Sequence, residues 1–320
     1  MAKKNNDRKI ESLKKTADHG NMYAQYELAN AYFFGRGAPQ DHETALKYYR
    51  LAAKQNLPEA QYMVGHCYYH GLGTRKSYKT ALNWFEKAAG RGNPQAHGYI
   101  GEAYKYGNGV PQDRAKALPH FKVAAKAGDS IAQVDLAYSL WEGIGTRKNR
   151  PQSINWYRQA AHQNNERGQF NLGLCYLFGE GVRKDIKTAF KWFHLAAENG
   201  HPRSMFWVGH AYLTGQGTRK NSSLAFKWFL KAAVADDSRG QTYLGMCYHD
   251  GIGVDTDLEE AVHWYRLAAA QDEPFAQYCL GLSYLDGDGV KPNKTTARKW
   301  ITKAAQNGDP LAQKELDHLT

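Results

Sequence analysis

The sequence predicts an all-α protein, a solenoid of eight 36-residue helix-turn-helix repeats with a capping helix at each end. Two patterns carry this prediction. A Gly-x-Gly motif recurs every 36 residues from Gly35 to Gly287, and an Ala-Ala pair keeps the same interval from Ala52 to Ala304. A fixed period of roughly 20 to 50 residues is typical of stacked repeats rather than of one globular core. We therefore expect a long binding surface rather than a single pocket.

The period divides the chain into three parts of one elongated domain. Residues 1–21 form a basic N-terminal segment with a capping helix, and residues 310–320 form a C-terminal capping helix. The eight repeats span 22–57, 58–93, 94–129, 130–165, 166–201, 202–237, 238–273 and 274–309. Much of the apolar surface of each repeat is covered only by its neighbours, so no repeat is expected to fold alone.

The first helix of each repeat is predicted from small and apolar residues on one face. In repeat one, Ala24, Leu28 and Tyr32 follow each other at intervals of four residues, which places them on one side of a helix. Equivalent residues recur in later repeats, although Leu140 replaces the tyrosine in repeat four. A Gly or Ala follows the central apolar residue, and we expect the tyrosine to fill the space that it leaves. Gly-x-Gly then ends the helix, because glycine adopts the left-handed conformation without steric cost.

The second helix is predicted to begin four residues after the second glycine of the motif, where a residue typical of helix N-caps recurs in all eight repeats. These residues are Asp41, Ser77, Asp113, Asn149, Asp185, Asn221, Asp257 and Asn293. An aromatic pair such as Trp84-Phe85 and the Ala-Ala pair follow on the inner face. A Gly, Asn or Asp such as Gly92 ends this helix, and a proline such as Pro94 can open the next one.

Composition places the protein among globular chains with a basic surface. The chain has 42 Lys and Arg against 31 Asp and Glu, a formal net charge of +11. No run of 18 or more apolar residues predicts a membrane span, and the charged first twenty residues lack the pattern of a secretory signal. We therefore expect a cytoplasmic protein. Cys67, Cys175 and Cys247 share one position in non-adjacent repeats, so we expect reduced cysteines that serve packing.

The combined motif resembles the Sel-one-like repeat (SLR) family, a relative of the tetratricopeptide repeats. The matching pattern is small-x-x-x-Leu-Gly-x-x-Tyr-x-x-Gly-x-Gly-Val, followed by Asp, Ala, Trp-Tyr and Ala-Ala, over about residues 22–309. The resemblance implies a right-handed α/α superhelix that acts as an adaptor or scaffold for protein complexes, often in bacteria, without catalytic residues. Some secreted members carry a cysteine pair in each repeat, and this chain does not.

By resemblance to tetratricopeptide arrays, a second face of the first helices lines a concave groove. Exposed aromatic side chains with one polar tip are typical contact anchors. The candidate aromatic residues of the groove are Tyr26, Phe33, Tyr62, His66, Tyr69, Tyr106, Tyr138, Trp141, Phe170, Phe178 and Phe206. The alternative for each of them is packing against the adjacent repeat.

Arg167, Arg203 and Arg239 occupy one groove position in three consecutive repeats. We call them the arginine row. A row of guanidinium groups suits a ligand with carboxylates or phosphates, although a solvated charge at the start of each helix is the alternative. A second set of basic residues follows the loops, at Arg75-Lys76, Arg147-Lys148, Arg183-Lys184 and Arg219-Lys220.

These patterns favour a monomeric protein-interaction scaffold that binds a peptide or protein segment, with acidic partners suited to the arginine row. We expect no cofactor and no metal. Around Cys67, the imidazoles of His66 and His70 have the i, i+4 spacing that can bind zinc, but the sequence shows no further ligand for a metal site. One alternative is a polyanion-binding solenoid for nucleic acid or an anionic glycan or lipid. Nucleic acid is disfavoured, because the groove lacks a regular pair of polar base-reading residues in each repeat. A second alternative is an enzyme with an unrecognised groove site.

Overall fold

The structure is a computed structural model that describes residues 2–318, and within them every regular element is an α-helix. The helices are α1 (Ala2–Asp18), α2 (Met22–Phe34), α3 (His42–Lys54), α4 (Pro58–His70), α5 (Tyr78–Gly90), α6 (Pro94–Tyr106), α7 (Arg114–Lys126), α8 (Ser130–Glu142), α9 (Arg150–His162), α10 (Glu166–Phe178), α11 (Ile186–Glu198), α12 (Pro202–Thr214), α13 (Ser222–Val234), α14 (Ser238–Asp250), α15 (Leu258–Ala270), α16 (Pro274–Asp286), α17 (Lys294–Gln306) and α18 (Pro310–His318). The even-numbered helices α2 to α16 are the first helices of the repeats, and α3 to α17 are the second helices.

The eight repeats form the predicted array of stacked helix pairs. The contacts divide the chain into two compact units, residues 1–160 and residues 161–320, with the boundary inside α9. In the first unit, helices α1 to α8 pack against each other in chain order, and in the second unit α10 to α18 do the same. The predicted capping helices correspond to α1 and α18, while Met1 and residues 319 and 320 lie outside the described part of the chain.

The predicted core face of the first helices is confirmed. The central apolar residue is buried in all eight repeats, at Leu28, Val64, Ile100, Leu136, Leu172, Val208, Leu244 and Leu280. The second member of the aromatic pair on the second helix is buried with it, as Phe85 and Phe229 are. The four cysteines are free thiols, and burial raises the pKa of Cys67 and of Cys247 to about 12.

The expectation that tyrosine fills the space beside the small residue is wrong. A Cβ atom added to Gly173 would lie 2.7 Å from the Phe193 ring, so a ring from the second helix of the same repeat occupies this space. Tyr212 and Tyr248 instead contact the second helix of the preceding repeat. Tyr212, for example, lies edge-on to Phe190 with the ring centroids 5.5 Å apart.

The backbone conformation and the packing explain why both outer residues of the turn motif are glycine. Gly71 ends α4 in the left-handed conformation with φ 76°. Gly73 also has a positive φ, and a Cβ atom there would lie 2.2 Å from the carbonyl oxygen of His42. The second glycine therefore lets the turn pack against the start of the preceding repeat's second helix.

The predicted N-caps of the second helices are confirmed. The Asp41 carboxylate accepts hydrogen bonds from the backbone N–H groups of Glu43 and Thr44, and the Asn149 side chain accepts one from Gln152. The predicted closing residues adopt positive φ, as at Asn56 with 69° and Gly92 with 87°. Local capping chemistry thus fixes both ends of each helix.

A set of buried glutamines joins successive helices. In each case the Nε2 group on a first helix donates to the backbone carbonyl eight residues earlier, near the end of the preceding helix, and we call this contact a glutamine bridge. The glutamines are Gln25, Gln61, Gln133, Gln169, Gln241 and Gln277. The Oε1 atom of Gln277 also accepts from Asn307 at 2.9 Å. At the same position repeats three and six carry His97 and Met205.

Candidate ligand-binding groove

The first helices lie on the inner side of each stack. Within the second unit α12 contacts α14 and α14 contacts α16, and within the first unit α6 contacts α8. Direct contact between the first helices of successive repeats brings them close together, which is the geometry of the inner face of a curved helical array. The predicted groove residues lie on these helices.

Four of the predicted aromatic residues in the first unit belong to one packed cluster. Phe33 is buried, with its ring centroid 6.0 Å from those of Tyr49 and His66. Tyr62 and Tyr69 are half-buried. Tyr26 is half-buried too and packs 5.8 Å from Tyr49. The alternative of packing against neighbouring rings therefore describes Phe33, while the tyrosines keep part of their surface exposed.

His66 lies within this cluster as a neutral side chain at pH 7. Burial lowers its pKa to about 4, with a further contribution from His70, whose ring centroid is 4.4 Å away. In the described residues, no three or more His, Cys, Asp or Glu side chains gather in the way that a metal ion needs. The His66 ring packs within the aromatic cluster, with its centroid 6.0 Å from those of Phe33 and Tyr99.

Tyr106 and Tyr138 are the most open of the predicted groove aromatics in the first unit. Tyr106 is 57% exposed and Tyr138 is 45% exposed. Trp141 is half-buried, because the Arg150 guanidinium lies 4.9 Å from its ring centroid. These three side chains offer aromatic surface along α6 and α8.

The predicted aromatics of the second unit differ in exposure. Phe170 and Phe206 are buried, and the Phe170 ring centroid lies 4.4 Å from that of His201. Phe178 is 60% exposed at the end of α10. Phe170 and Phe206 therefore pack inside the second unit, and Phe178 presents its ring at the surface of α10.

The arginine row lies at the second residue of α10, α12 and α14. Arg203 is exposed, and Arg167 and Arg239 are half-buried. The Arg239 guanidinium lies 4.6 Å from the centroid of the Phe206 ring, which holds it by a cation–π contact. The structure therefore places the three arginines on equivalent turns of consecutive first helices.

The charges of Arg167 and Arg203 affect the pKa of His201. Its Nδ1 atom accepts a hydrogen bond from the backbone N–H of Ser204 at 3.2 Å and so caps α12. Burial lowers its pKa to about 4; Glu166 raises this pKa, while Arg203 and Arg167 lower it. Arg203 and Arg167 therefore both lie close enough to the half-buried His201 side chain, at the N-terminus of α12, to disfavour its charged form.

Sequence reasoning placed Tyr62 and Tyr69 in the groove but missed the pocket that they form with Tyr99, Glu102, Asp129 and Ile131, among others, in the first unit. The pocket opens at Gly98, which stands where Tyr26, Tyr62, Phe170 and Phe206 stand in other repeats. That loss of a ring from a repeated position was visible in the sequence. It is the signal that could have located the pocket.

Comparisons with known proteins agree with this architecture. The Sel1 repeat family profile matches eight times, at residues 23–57, 58–93, 94–129, 130–165, 167–201, 202–237, 238–273 and 274–309. The structure is similar to that of a protective antigen present in uropathogenic Escherichia coli strains that displays an SLR fold. The TM-score is 0.80 and the sequence identity 32%, over 97% of this chain and 67% of that chain.

A Sel1 repeat protein from Oxalobacter formigenes is also similar, with a TM-score of 0.65 and 29% identity over 97% of this chain and 90% of that chain. No curated protein matches the sequence significantly. None of the helices in residues 2–318 has the length and apolar character that a membrane span requires. Proteins with these repeats are typically non-catalytic protein-interaction scaffolds. From the eight profile matches and the shared fold, the chain belongs to the Sel1 repeat family.

Proposed function

We propose that the chain is an interaction scaffold whose second unit binds an acidic, extended protein segment along the arginine row. The observation that carries this proposal is the placement of Arg167, Arg203 and Arg239 at one position of three consecutive first helices. Guanidinium groups bind carboxylates through paired, charge-assisted hydrogen bonds.

Helix stability does not account for arginine at this position. Each arginine lies in the first turn of its helix, where the macrodipole disfavours a positive charge by about 0.3–1 kcal/mol. The same N-terminal turns favour negative charge. The arrangement therefore supports the binding of anions more than the folding of the chain.

The spacing of the helices suggests the spacing of the acidic groups. Packed helices lie roughly 8–10 Å apart, and an extended peptide advances about 3.3 Å per residue. Acidic residues about three positions apart in the partner would therefore meet successive arginines. Arg239 is held over Phe206, so less side-chain freedom is lost when it binds.

Selection from a peptide-display library tests this proposal. The full chain, the variant R167Q/R203Q/R239Q and the control R183Q/R219Q/K220Q are each used as bait. The control residues are exposed loop residues of the same unit. Because each variant replaces three basic residues by glutamine, both lose the same formal charge. We expect the full chain and the control to enrich peptides with Asp or Glu about three positions apart. The variant R167Q/R203Q/R239Q should bind these peptides about tenfold or more weakly than the full chain does.

Equal loss from both variants would instead support the second candidate, a polyanion bound along the loops. The exposed basic pairs, such as Arg183-Lys184 and Arg219-Lys220, favour this candidate. Its signature is a steep fall of single-stranded nucleic acid or heparin affinity with salt, because phosphate or sulfate neutralisation releases counterions. An absence of acidic enrichment on the full chain would contradict the proposed function.

A further inference from the structure

A pocket in the first unit lies where the row of rings on the first helices is interrupted. Gly98 on α6 has no side chain where the equivalent positions of α4 and α10 carry Tyr62 and Phe170. A Cβ atom at Gly98 would lie 2.9 Å from Oδ2 of Asp129. Glycine therefore keeps one carboxylate oxygen of Asp129 open to the pocket.

Tyrosine rings form the walls of this pocket and hold each other in place. The Tyr99 ring centroid lies 5.9 Å from that of Tyr62 and 5.0 Å from that of Tyr69. Tyr99 also stacks on the buried Phe85 ring at 4.5 Å with an interplanar angle of 10°. Exposed Ile131 lies at the rim. The walls are thus set before any ligand arrives.

Two carboxylates line the pocket. The Tyr69 hydroxyl donates to Oε2 of Glu102 at 3.3 Å, and Asp129 has one oxygen engaged in capping α8. Burial and the neighbouring Asp135 raise the pKa of Glu102, while the Tyr69 hydrogen bond and the charge of Lys105 lower it. Among the described residues that line the pocket, none is lysine or arginine.

A basic side chain beside Glu102 is already engaged. Lys105 donates to Oδ1 of Asp135 at 2.8 Å, an ion pair that is largely buried. Lys105 is thus paired with Asp135, and Glu102 and Asp129 are the carboxylates that line the pocket. Burial also lowers the pKa of His70, so this wall residue is neutral at pH 7.

We propose that this pocket receives one basic side chain, lysine or arginine, of a partner protein. The tyrosine faces attract a cation through their quadrupoles, and the two carboxylates supply the opposite charge at the same place. An anionic side chain would meet like charge, and a purely apolar one would leave both carboxylates desolvated. The site is independent of the arginine row, because its residues lie in the other unit.

An NMR titration of the full chain tests the proposal with three probes. They are N-acetyl-arginine amide, N-acetyl-lysine amide and N-acetyl-citrulline amide, the last an uncharged analogue of the arginine probe. The signals followed are the Gly98 amide and the Ile131 methyl groups. We expect saturable shifts with arginine, lysine or both, and at least tenfold weaker binding of citrulline.

Two variants and two controls complete the experiment. Glu102→Gln and Asp129→Asn each remove one pocket charge, and asparagine can still cap α8. We expect each to weaken binding of the cationic probe by about tenfold. Glu142→Gln removes an exposed acidic charge from α8 outside the pocket, and R167Q/R203Q/R239Q alters only the other unit, so neither should change the affinity. Binding of citrulline equal to that of arginine, or unchanged affinity in both pocket variants, would overturn the proposal.

Discussion

The Phe85 ring occupies the space that a side chain on Gly65 would need. A Cβ atom added to Gly65 would lie 2.7 Å from the nearest ring carbon of Phe85. The same relationship joins Gly101 to Phe121 and Gly209 to Phe229. A glycine on the first helix and a ring on the second therefore set the distance between the two helices of a repeat.

Gly65→Ala is expected to destabilise the chain. Overpacking in a buried contact costs about 1–3 kcal/mol, and the gain in helix propensity of about 1 kcal/mol offsets only part of it. The measurement is the free energy of unfolding from urea titration. Gly90→Ala is the control, since a Cβ atom at this α5 residue has no neighbour within 4 Å. We expect this change to be neutral or slightly stabilising. If Gly65→Ala were as stable as the control, the ring would not determine the helix spacing.

Gln277→Met is expected to cost about 1–2 kcal/mol of unfolding free energy, because a fully buried hydrogen-bonding group is lost. The Ala269 carbonyl would lose its side-chain donor, and Asn307 would lose its acceptor. Repeat six carries the natural pair Met205 and Ala235 at the corresponding positions.

That natural pair suggests a double-mutant cycle. Q277M/N307A should cost less than the sum of Q277M and N307A, because the double variant leaves neither side chain without its partner. Thermal or urea unfolding of the four proteins measures the coupling. Strictly additive costs would show that the two side chains contribute independently.

His201 gives a pH dependence with a defined sign. Its folded-state pKa is lowered to about 4, whereas an unfolded histidine titrates near pH 6.5, so the unfolded chain binds more protons between these values. The stabilisation from the neutral imidazole is complete above about pH 6.5 and is lost as the pH falls towards about 4.

His201→Asn should remove this part of the pH dependence and keep the cap. Asn93 already caps α6 in front of a proline by accepting from the Ala96 N–H at 3.0 Å, so asparagine suits the position. Between pH 7.5 and pH 5, we expect the melting temperature of the variant to fall less than that of the full chain, by about 2–4 °C. Equal falls in both proteins would contradict the assignment.

The sequence could predict the turns and caps, because their chemistry is local. Gly71 needs a positive φ and Asp41 needs only the N–H groups two and three residues away. A 36-residue period then repeats each local solution, so the helix pairs and their stacking follow from the sequence.

The sequence could not tell which rings of the first helices face the groove, since that depends on the rotation of each helix against its neighbours. Phe206 and Tyr138 both belong to the predicted groove face, yet Phe206 is buried and Tyr138 is open. For the same reason the ring beside Gly173 comes from Phe193 and not from a tyrosine on the same helix. The pocket at Gly98 required both the absence of a ring and the positions of two distant carboxylates.

The glutamine bridges also bear on the internal motions of each unit. The position that carries a bridging glutamine holds His97 in the first unit and Met205 in the second. Backbone amides on either side of these two interfaces should exchange with deuterium sooner than those beside Gln61 or Gln277, since these interfaces lack the buried hydrogen bond that the glutamine makes elsewhere. Faster exchange at these two places would show that each unit has one less firmly joined interface, at which its stack of helix pairs can change curvature.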